Sequence, residues 1–417
     1  MKVTGIIAEY NPFHNGHLYQ IEQARKNGAE YIIVVMSGNF LQRGTPAVFD
    51  KWTRAKMALS CGVDLVIELP AVFSTASAQY FARGGVSILD KLGCVDTLSF
   101  GCESDDTHMI QMLSSYLSEE PDAYKELLQN YLREGNSFPK ARELALSKCL
   151  SPQAAAFASS PNNILALEYC IALLERNSSM NILPIKREGN GYHDPALKES
   201  SFASATAIRD TIEKSMNADK DSDTCSDLSD LQNYIPKAVY SIIDKQRNDY
   251  VTQNDFSTIL HYKLLSESGS SFVKYADVSE DLSDKIRKNL RYYRDYSSFC
   301  ELLKSKELTY SRINRALTHI LLNVTQEMYE NVKRNDYAGY ARILGFKKEA
   351  SPLLSEIGKN TSIPLISKLA DAGNSLSEQS IYYLEHDIFC SHVYESIIAS
   401  KNGEPIRNEY QREIIRT

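Results

Sequence analysis

The chain has 417 residues, of which 43% are hydrophobic and 24% are charged, and its formal net charge is −7. This length predicts two or three domains with a full hydrophobic core. No apolar run approaches the roughly 18 residues that span a bilayer, and the negative balance, taken over the whole chain, argues against nucleic acid as a partner.

The cysteines and the N-terminus indicate the compartment. The eight cysteines are scattered and none are paired as CxxC, which predicts reduced thiols and neither a disulfide framework nor a zinc site. The first residues enter an apolar strand at once, without the layout of a signal peptide. We therefore expect a cytoplasmic protein that has no membrane contact.

The first hundred residues alternate between apolar strands and helices. Strands are predicted over 3–9, 31–36, 64–69 and 95–100, and helices over 16–26, 51–61 and 77–92. Continuous apolar strands between helices are typical of a parallel sheet covered on both faces. We predict an α/β class with a Rossmann-like parallel sheet.

The remainder of the chain is mostly helical. Helices are predicted across 105–151, over 162–176 and from 205 to 214, and a strand over 181–186. The segment 217–230 carries five aspartates among serines and is predicted to be a mobile acidic loop. We place a first domain at 1–235 and a mostly helical C-terminal domain at 236–417.

The segment Tyr10–His17, with the sequence YNPFHNGH, lies between the first predicted strand and the first helix. A helix start exposes backbone N–H groups and favours anions, and Gly16 would let a phosphate approach closely. His14 and His17 then lie on one side and can donate to the charge that grows when an α-phosphate is attacked. The alternative is a surface loop whose histidines cap a helix, but the position after the first strand of an α/β domain favours a nucleotide site.

Three other segments fit the same site. Ser204–Arg209 (SATAIR) starts a late helix, where the hydroxyl of Thr206 and the guanidinium of Arg209 could hold the β- and γ-phosphates, although Ser/Thr caps are common. Ile185–Arg187 ends the preceding strand, where the alternative is a solvated charge pair. Gln42–Pro46 follows the second strand and is either a simple turn or a part of the crevice near the reacting groups.

These motifs together resemble the HIGH superfamily of nucleotidylyl transferases. Longer strings are similar to the family of bacterial tRNA(Met) cytidine acetate ligases: Ile6–Gln20, Val35–Leu59, Gly62–Pro70, Ser160–Tyr169 and Gly191–Asp194. The resemblance implies a nucleotidyltransferase domain that uses ATP and acetate to form acetyl-adenylate, with release of diphosphate. It further implies that the acetyl group passes to N4 of the wobble cytidine of elongator tRNA(Met).

The resemblance also implies which residues contact ATP. They are Ile7, Ala8, Glu9, Tyr10, Asn11, Pro12, Phe13, His14, Asn15, Gly16, His17, Leu18, Tyr19, Gln20, Gly101, Asn162 and Arg187. Asn162 is preferred over its neighbour Asn163. As a hypothesis for the chemistry, His14 and His17 stabilise the transition state, while Thr206 and Arg209 hold the leaving diphosphate. Mg²⁺ bridging the phosphates is compatible with the pattern, although no acidic cluster announces a metal site.

A basic region lies within the acidic chain. Residues 285–315 contain nine basic and three acidic residues, with four tyrosines interleaved. Cations follow phosphates and aromatic rings stack on unpaired bases, so we predict RNA binding by Lys285, Arg287, Lys288, Arg291, Arg294, Arg312 and Arg315. The alternative is a solvated helix face whose tyrosines belong to the core.

Two other functions remain open at this point. An adenylyltransferase acting on a small phosphorylated metabolite would need only the α/β domain, and would leave the basic region unexplained. A tRNA-binding protein with a vestigial nucleotide site would not need the histidines, Thr206 or Arg209. DNA is not expected as a partner.

Overall fold

The computed structural model describes residues 1–187, 203–217, 228–305 and 308–417. Most of the predicted acidic loop therefore lies outside the described residues, as do Gly191–Asp194 and Lys306. No helix in the described ranges combines the length and the apolar character that a membrane span requires.

The strands of the described chain form one eight-stranded sheet. They are β1 (Val3–Ala8), β2 (Tyr31–Ser37), β3 (Leu65–Leu69), β4 (Thr97–Cys102), β5 (Asn181–Lys186), β6 (Ala341–Phe346), β7 (Leu365–Ile366) and β8 (Ile415–Arg416). Their order is β5-β4-β1-β2-β3-β6-β7, and β8 also pairs with β6. The first five strands are mutually parallel, whereas β6 is antiparallel to β3.

Helices cover both faces of this sheet. In the described residues they are α1 (Asn15–Lys26), α2 (Lys51–Ser60), α3 (Ala71–Ser74), α4 (Ala78–Lys91), α5 (Thr107–Glu119), α6 (Asp122–Arg133), α7 (Phe138–Cys149), α8 (Pro152–Ser159), α9 (Pro161–Glu175), α10 (Ala205–Asn217), α11 (Lys237–Lys245), α12 (Ser257–Ser266), α13 (Glu280–Asn289), α14 (Tyr296–Leu303), α15 (Tyr310–Leu322), α16 (Gln326–Arg334), α17 (Ser351–Asn360) and α18 (Glu378–Asn402).

Successive residues of the central strands point to opposite faces and enter two cores. Ile33 and Val35 of β2 pack in one core, with residues of α4, α9, α15 and α18. Ile32 and Val34 pack in the other, with residues of α1, α2, α10 and α11. A strand buried on both sides needs an unbroken apolar run, which explains why β1 to β4 could be found in the sequence. The edge strand β5 is only partly buried, and the α/β prediction is confirmed.

The C-terminal part is mostly helical, as predicted, but it also contributes β6, β7 and β8 to the sheet. These strands were not predicted, and they extend the sheet of the N-terminal part beyond β3. The division of the chain at residue 235 stays a prediction, and the two parts share the sheet and both of its cores.

A buried cluster of charges joins the end of the chain to the sheet. Lys51 Nζ lies 2.7 Å from Glu68 Oε1 and 3.1 Å from Glu409 Oε2. Arg342 of β6 contacts the same two carboxylates, at 3.2 Å and 2.5 Å. Although burial raises the pKa of Glu409, the two cations hold it down at about 2. These four side chains therefore form a balanced set in which each charge has partners.

Replacing Lys51 with methionine should destabilise the fold by about 3–5 kcal/mol, because two buried carboxylates would then share one cation. The free energy of unfolding from urea denaturation measures this effect. The control is Lys304→Met, which removes an exposed lysine 3.5 Å from Glu301 and should cost less than about 1 kcal/mol. Equal stability of the two variants would contradict the role assigned to the cluster.

Candidate functional site

The loop between β1 and α1 is fixed by contacts from three directions. Tyr10 adopts the left-handed backbone region, with φ of +49°, and Asn11 Oδ1 accepts a hydrogen bond from the Val48 N–H at 2.8 Å. Arg54, which is fully buried, donates to the carbonyl of Glu9 at 2.6 Å and to that of Gly38. The loop is thus held in place before any ligand arrives.

Arg54 was not identified as a site residue in the sequence. It lies on α2 inside the string that resembles the ligase family, and its signal was only a charged residue among apolar ones. In the structure its guanidinium ties the carboxyl ends of β1 and β2 together. It acts on the site by positioning the loop.

His14 and His17 form a stacked pair at the start of α1. Their ring centroids are 3.7 Å apart and the rings are inclined by 25°. The Gly16 N–H donates to His14 Nδ1 at 3.1 Å, and the His14 N–H donates to His17 Nδ1 at 3.2 Å. Because both Nδ1 atoms accept from backbone N–H groups, the neutral rings carry their protons on Nε2.

Both rings are held neutral. Burial, with the positive charges of Arg187 and Arg209, lowers the pKa of His14 to about 3. Burial, His14 and Arg187 lower the pKa of His17 well below its usual value. Each histidine can therefore serve as an uncharged N–H donor at neutral pH.

The structure gives a reason for glycine at position 16 that differs from the predicted one, the close approach of a phosphate. A Cβ at this position would lie 2.9 Å from Cε1 of His14. The glycine therefore makes room for the histidine ring, in addition to any close approach of a ligand. The capping interpretation and the donor interpretation of the histidines are also compatible, since Nδ1 of each ring caps the helix and Nε2 remains as a donor.

Thr206 and Arg209 lie opposite this loop, in the first turns of α10. The Oγ of Ser204 accepts from the Ala207 N–H at 3.1 Å and caps the helix. Arg209 donates to the carbonyl of Asn11 at 3.1 Å and to the Thr206 hydroxyl at 2.9 Å. The SATAIR segment is therefore joined directly to the loop between β1 and α1, referred to below as the histidine loop.

Arg187 and Asn162 lie on a third side of the candidate site. Arg187 follows β5 and donates to Asn162 Oδ1 at 3.4 Å, and Asn162 in turn donates to Glu103 at 3.2 Å. Asn163 is 3% exposed and bonds instead to the backbone of Glu103 and Phe157. Of the two asparagines, Asn162 faces the site.

These segments enclose a cavity of about 220 Å³, referred to below as the nucleotide cavity. The predicted residues that line it are Ile7, Ala8, Glu9, Tyr10, Asn11, His14, His17, Gln20, Gly101, Asn162, Arg187, Thr206 and Arg209. A smaller adjoining cavity of about 60 Å³ shares the two histidines and adds Gly16 and Tyr19. Pro12, Phe13, Asn15 and Leu18 line neither cavity, and Phe13 is fully buried against Tyr10.

Other residues of the wall were missed because their sequence signal is only apolar. Phe81, Phe100, Leu165 and Tyr169 line the nucleotide cavity, and all four come from elements of the core. Apolar residues next to a few polar groups are usual in sites for planar ligands. In the sequence such residues cannot be distinguished from ordinary core positions.

The predicted RNA-binding residues do not all line one groove. Arg312 and Arg315 line a groove of about 940 Å³ that runs between α4, α9 and α15, referred to below as the acceptor groove. Arg315 is paired with Asp277 at 2.8 Å. The other five lie outside this lining, and Lys285 donates to the carbonyl groups at the end of α14.

The four tyrosines of the basic region differ in how far they are buried. Tyr292 is 54% exposed, and the Arg291 guanidinium lies 4.6 Å from its ring centroid. Tyr296 is 1% exposed and bonds to Thr318 at 2.9 Å, so it belongs to the core. Tyr293 and Tyr310 are partly buried against the same core. Of the two alternatives, a place in the core describes Tyr293, Tyr296 and Tyr310, and Tyr292 is the one that is exposed for stacking.

Known proteins are similar to this chain along nearly its whole length. A family model described as HIGH Nucleotidyl Transferase matches residues 1–409. The tRNA(Met) cytidine acetate ligase of Clostridium acetobutylicum is 39% identical over 424 residues, which cover 100% of both chains. The protein of that name from Thermoanaerobacter sp. is 40% identical over 409 residues, or 97% of this chain and 96% of the relative.

Two solved structures are also similar along their full lengths. Thermotoga maritima TmcAL in its apo form is 32% identical, with a TM-score of 0.92, and each chain is covered completely. The same protein bound with alpha-thio ATP is 31% identical, with a TM-score of 0.90 and the same coverage. The chain therefore belongs to the HIGH nucleotidyl transferase family and, within it, to the tRNA(Met) cytidine acetate ligases.

Proposed function

We propose that the chain is an ATP-dependent ligase that activates acetate and acetylates N4 of the wobble cytidine of elongator tRNA(Met). The observation that carries the proposal is similarity along the complete chain to relatives named for this reaction. The nucleotide cavity, which is lined by two neutral histidines and two arginines, supports it. A solved relative binds an ATP analogue. Because ATP and tRNA are both cytoplasmic, we propose that the protein works in the cytoplasm.

In the first half-reaction, a carboxylate oxygen of acetate attacks the α-phosphorus of ATP. The bond from that phosphorus to the bridging oxygen breaks, and diphosphate leaves with the oxygen and its electron pair. Negative charge grows on the phosphate oxygens, where the Nε2–H groups of His14 and His17 can donate. The donors are already oriented by the backbone, so little reorganisation is needed as the charge develops.

The leaving diphosphate is assigned to the start of α10. Thr206 and Arg209 lie there, on the wall of the nucleotide cavity, and a helix N-terminus with a guanidinium favours an anion. Arg187, beside Gly101, adds a positive charge on another side of the same cavity. The residues that the sequence predicted to contact ATP and that line the nucleotide cavity are proposed to do so.

Mg²⁺ can accompany ATP without a dedicated protein cage. Within the described residues no three His, Cys, Asp or Glu side chains are grouped to hold a metal ion. Mg²⁺ keeps several waters and commonly binds through substrate phosphates with one or two carboxylates. We expect it to bind chiefly through the phosphates, with Glu9 of the cavity wall as a candidate ligand.

In the second half-reaction, the exocyclic amine of the cytidine attacks the carbonyl carbon of acetyl-adenylate. A carbon–nitrogen bond forms, the bond from the carbonyl carbon to the AMP oxygen breaks, and AMP leaves with that electron pair. The amine releases one proton to solvent. Each cycle thus converts ATP, acetate and tRNA into AMP, diphosphate and acetylated tRNA.

The test is to incubate the protein with ATP, labelled acetate and total tRNA, and then to digest the RNA to nucleosides. We expect ATP-dependent label in N4-acetylcytidine derived from tRNA(Met). Label confined to a small adenylylated metabolite would select the adenylyltransferase alternative. Binding of tRNA without acetate-dependent exchange of diphosphate into ATP would select a vestigial nucleotide site.

We predict that the exposed basic residues steer the RNA. Arg291 and Arg294 are both exposed on the segment after α13, and reversing both charges to glutamate should weaken tRNA binding by about 10-fold to 100-fold, because cations contacting phosphates supply most of such affinity. Filter binding of tRNA at fixed salt measures this effect, and ATP affinity should not change.

The matched control for this charge reversal is Lys359→Glu with Lys368→Glu. It makes the same change in charge at two exposed positions outside the basic region. Unchanged tRNA affinity in the Arg291 and Arg294 double variant, or an equal loss in the control, would contradict a specific role for the basic region.

A further inference from the structure

The loop 41–45, which follows β2, is clamped between the histidine loop and α15. The Gln42 N–H donates to Glu9 Oε1 at 2.9 Å, and the Thr318 hydroxyl donates to the Gly44 carbonyl at 2.7 Å. Gly44 has φ of +71°, and a Cβ there would lie 2.3 Å from the Arg315 backbone nitrogen. Only glycine allows so close an approach, so the loop is seated on the helix backbone.

This loop lies where the two large depressions of the site meet. Gln42 and Arg43 line both the nucleotide cavity and the acceptor groove. Asn162 and Leu165 of α9 also line both, on the opposite side. The acceptor groove therefore opens onto the nucleotide cavity between loop 41–45 and α9.

The walls of the acceptor groove suit a single-stranded nucleic acid. Arg312, Arg315 and Lys333 contribute positive charge, and Tyr80 and Phe138 contribute aromatic rings. Phe138 is 55% exposed, so its ring is accessible to a partner in the groove. Cations that follow phosphates and rings that stack on bases are the two features of single-strand binding.

Most carboxylates of the acceptor groove are paired with cations. Glu168 is 9% exposed and contacts Arg83 at 3.5 Å and Arg142 at 3.3 Å. Asp277 is paired with Arg315. Glu175 also pairs with Arg83, whereas Glu120 is exposed. The lining as a whole holds six cationic and four acidic side chains, so its charge balance favours an anion.

We propose that the acceptor groove holds the single-stranded loop of the tRNA, and that Arg43 binds the phosphate next to the nucleotide that enters the nucleotide cavity. The inference rests on the proposed function and assigns a residue to its second half-reaction. Arg43 stands at the junction, so it can orient the amine toward the acetyl carbonyl carbon. The carbon–nitrogen bond then forms as the bond to AMP breaks, and one proton passes to solvent.

The experiment compares Arg43→Ala with wild type in two separate assays. Acetate-dependent exchange of diphosphate into ATP reports the first half-reaction, and single-turnover transfer from preformed acetyl-adenylate to tRNA reports the second. We expect the transfer rate to fall by about 10-fold to 100-fold, as for loss of one charged phosphate contact, with a far smaller effect on exchange. Arg247→Ala, at a partly exposed arginine on a 3-10 turn outside the groove, is the matched control and should not change transfer.

A second variant tests the groove apart from the junction. Phe138→Ala removes an exposed ring, so folding should be retained, and the KM for tRNA in transfer should rise by about 5-fold to 100-fold through lost stacking. Wild-type transfer in both variants, or an equal fall of exchange and transfer in Arg43→Ala, would overturn the assignment. Absence of acetate-dependent exchange in the wild type would instead refute the proposed function itself.

Discussion

Replacing His17 or His14 with alanine should reduce acetate-dependent exchange of diphosphate into ATP by about 100-fold to 1000-fold, the usual cost of removing one preorganised donor to a developing oxyanion. Each ring presents a neutral Nε2–H, since its Nδ1 accepts a backbone N–H. The two donors are stacked 3.7 Å apart and act on the same phosphate, so the double variant should lose little more than either single one.

An alanine at position 14 also removes the cap of α1, and a loss of activity could then reflect a frayed helix. His14→Asn separates these effects, because asparagine is a good N-cap but cannot place an N–H where Nε2 lies. We expect this variant to keep the wild-type free energy of unfolding within about 1 kcal/mol and to lose exchange as fully as His14→Ala. An active His14→Asn enzyme would mean that the histidine serves only as a cap.

Much of the fold was predictable because four strands, β1 to β4, are largely buried on both faces. Such strands need unbroken apolar runs, and Val3–Ala8 and Tyr31–Ser37 were found for that reason. β6 was not found, although it is equally buried, because it follows a long helical region and pairs with β3 at a distance of more than 270 residues. Local pattern carries no information about which distant strand completes a sheet edge.

The candidate site likewise contains some residues that could be predicted from the sequence and others that could not. His14, His17 and Arg209 could be predicted because each lies at a helix start that follows a strand or a cap, a local pattern with a known chemistry. Arg54 depends on which loops meet in space and has no motif of its own. Arg43 lies in the segment Gln42–Pro46, for which the sequence left a simple turn and a part of the crevice as alternatives, and the structure places it in the cavity wall. Tyr296 shows the same limit, since a tyrosine interleaved with arginines could either stack on RNA bases or belong to the core, and only its 1% exposure decides for the core.

Arg209 should be as sensitive as the histidines, but for a different reason. Its guanidinium donates to the Asn11 carbonyl at 3.1 Å and to the Thr206 hydroxyl at 2.9 Å, so it joins α10 to the histidine loop while bringing its charge to the nucleotide cavity. Arg209→Ala should lower the rate of diphosphate release by about 100-fold or more, because the leaving group loses its cation.

Arg209→Lys distinguishes charge from geometry. Lysine keeps a positive charge but lacks the planar fork that reaches two acceptors at once, so we expect it to restore ATP affinity more than the rate of diphosphate release. Thr206→Val is the matched control for the fork, because it removes the Thr206 hydroxyl and leaves the arginine. Full recovery in Arg209→Lys would mean that charge alone suffices. Loss of ATP affinity with an unchanged rate in all three variants would place this arginine in ground-state binding, away from the departing diphosphate.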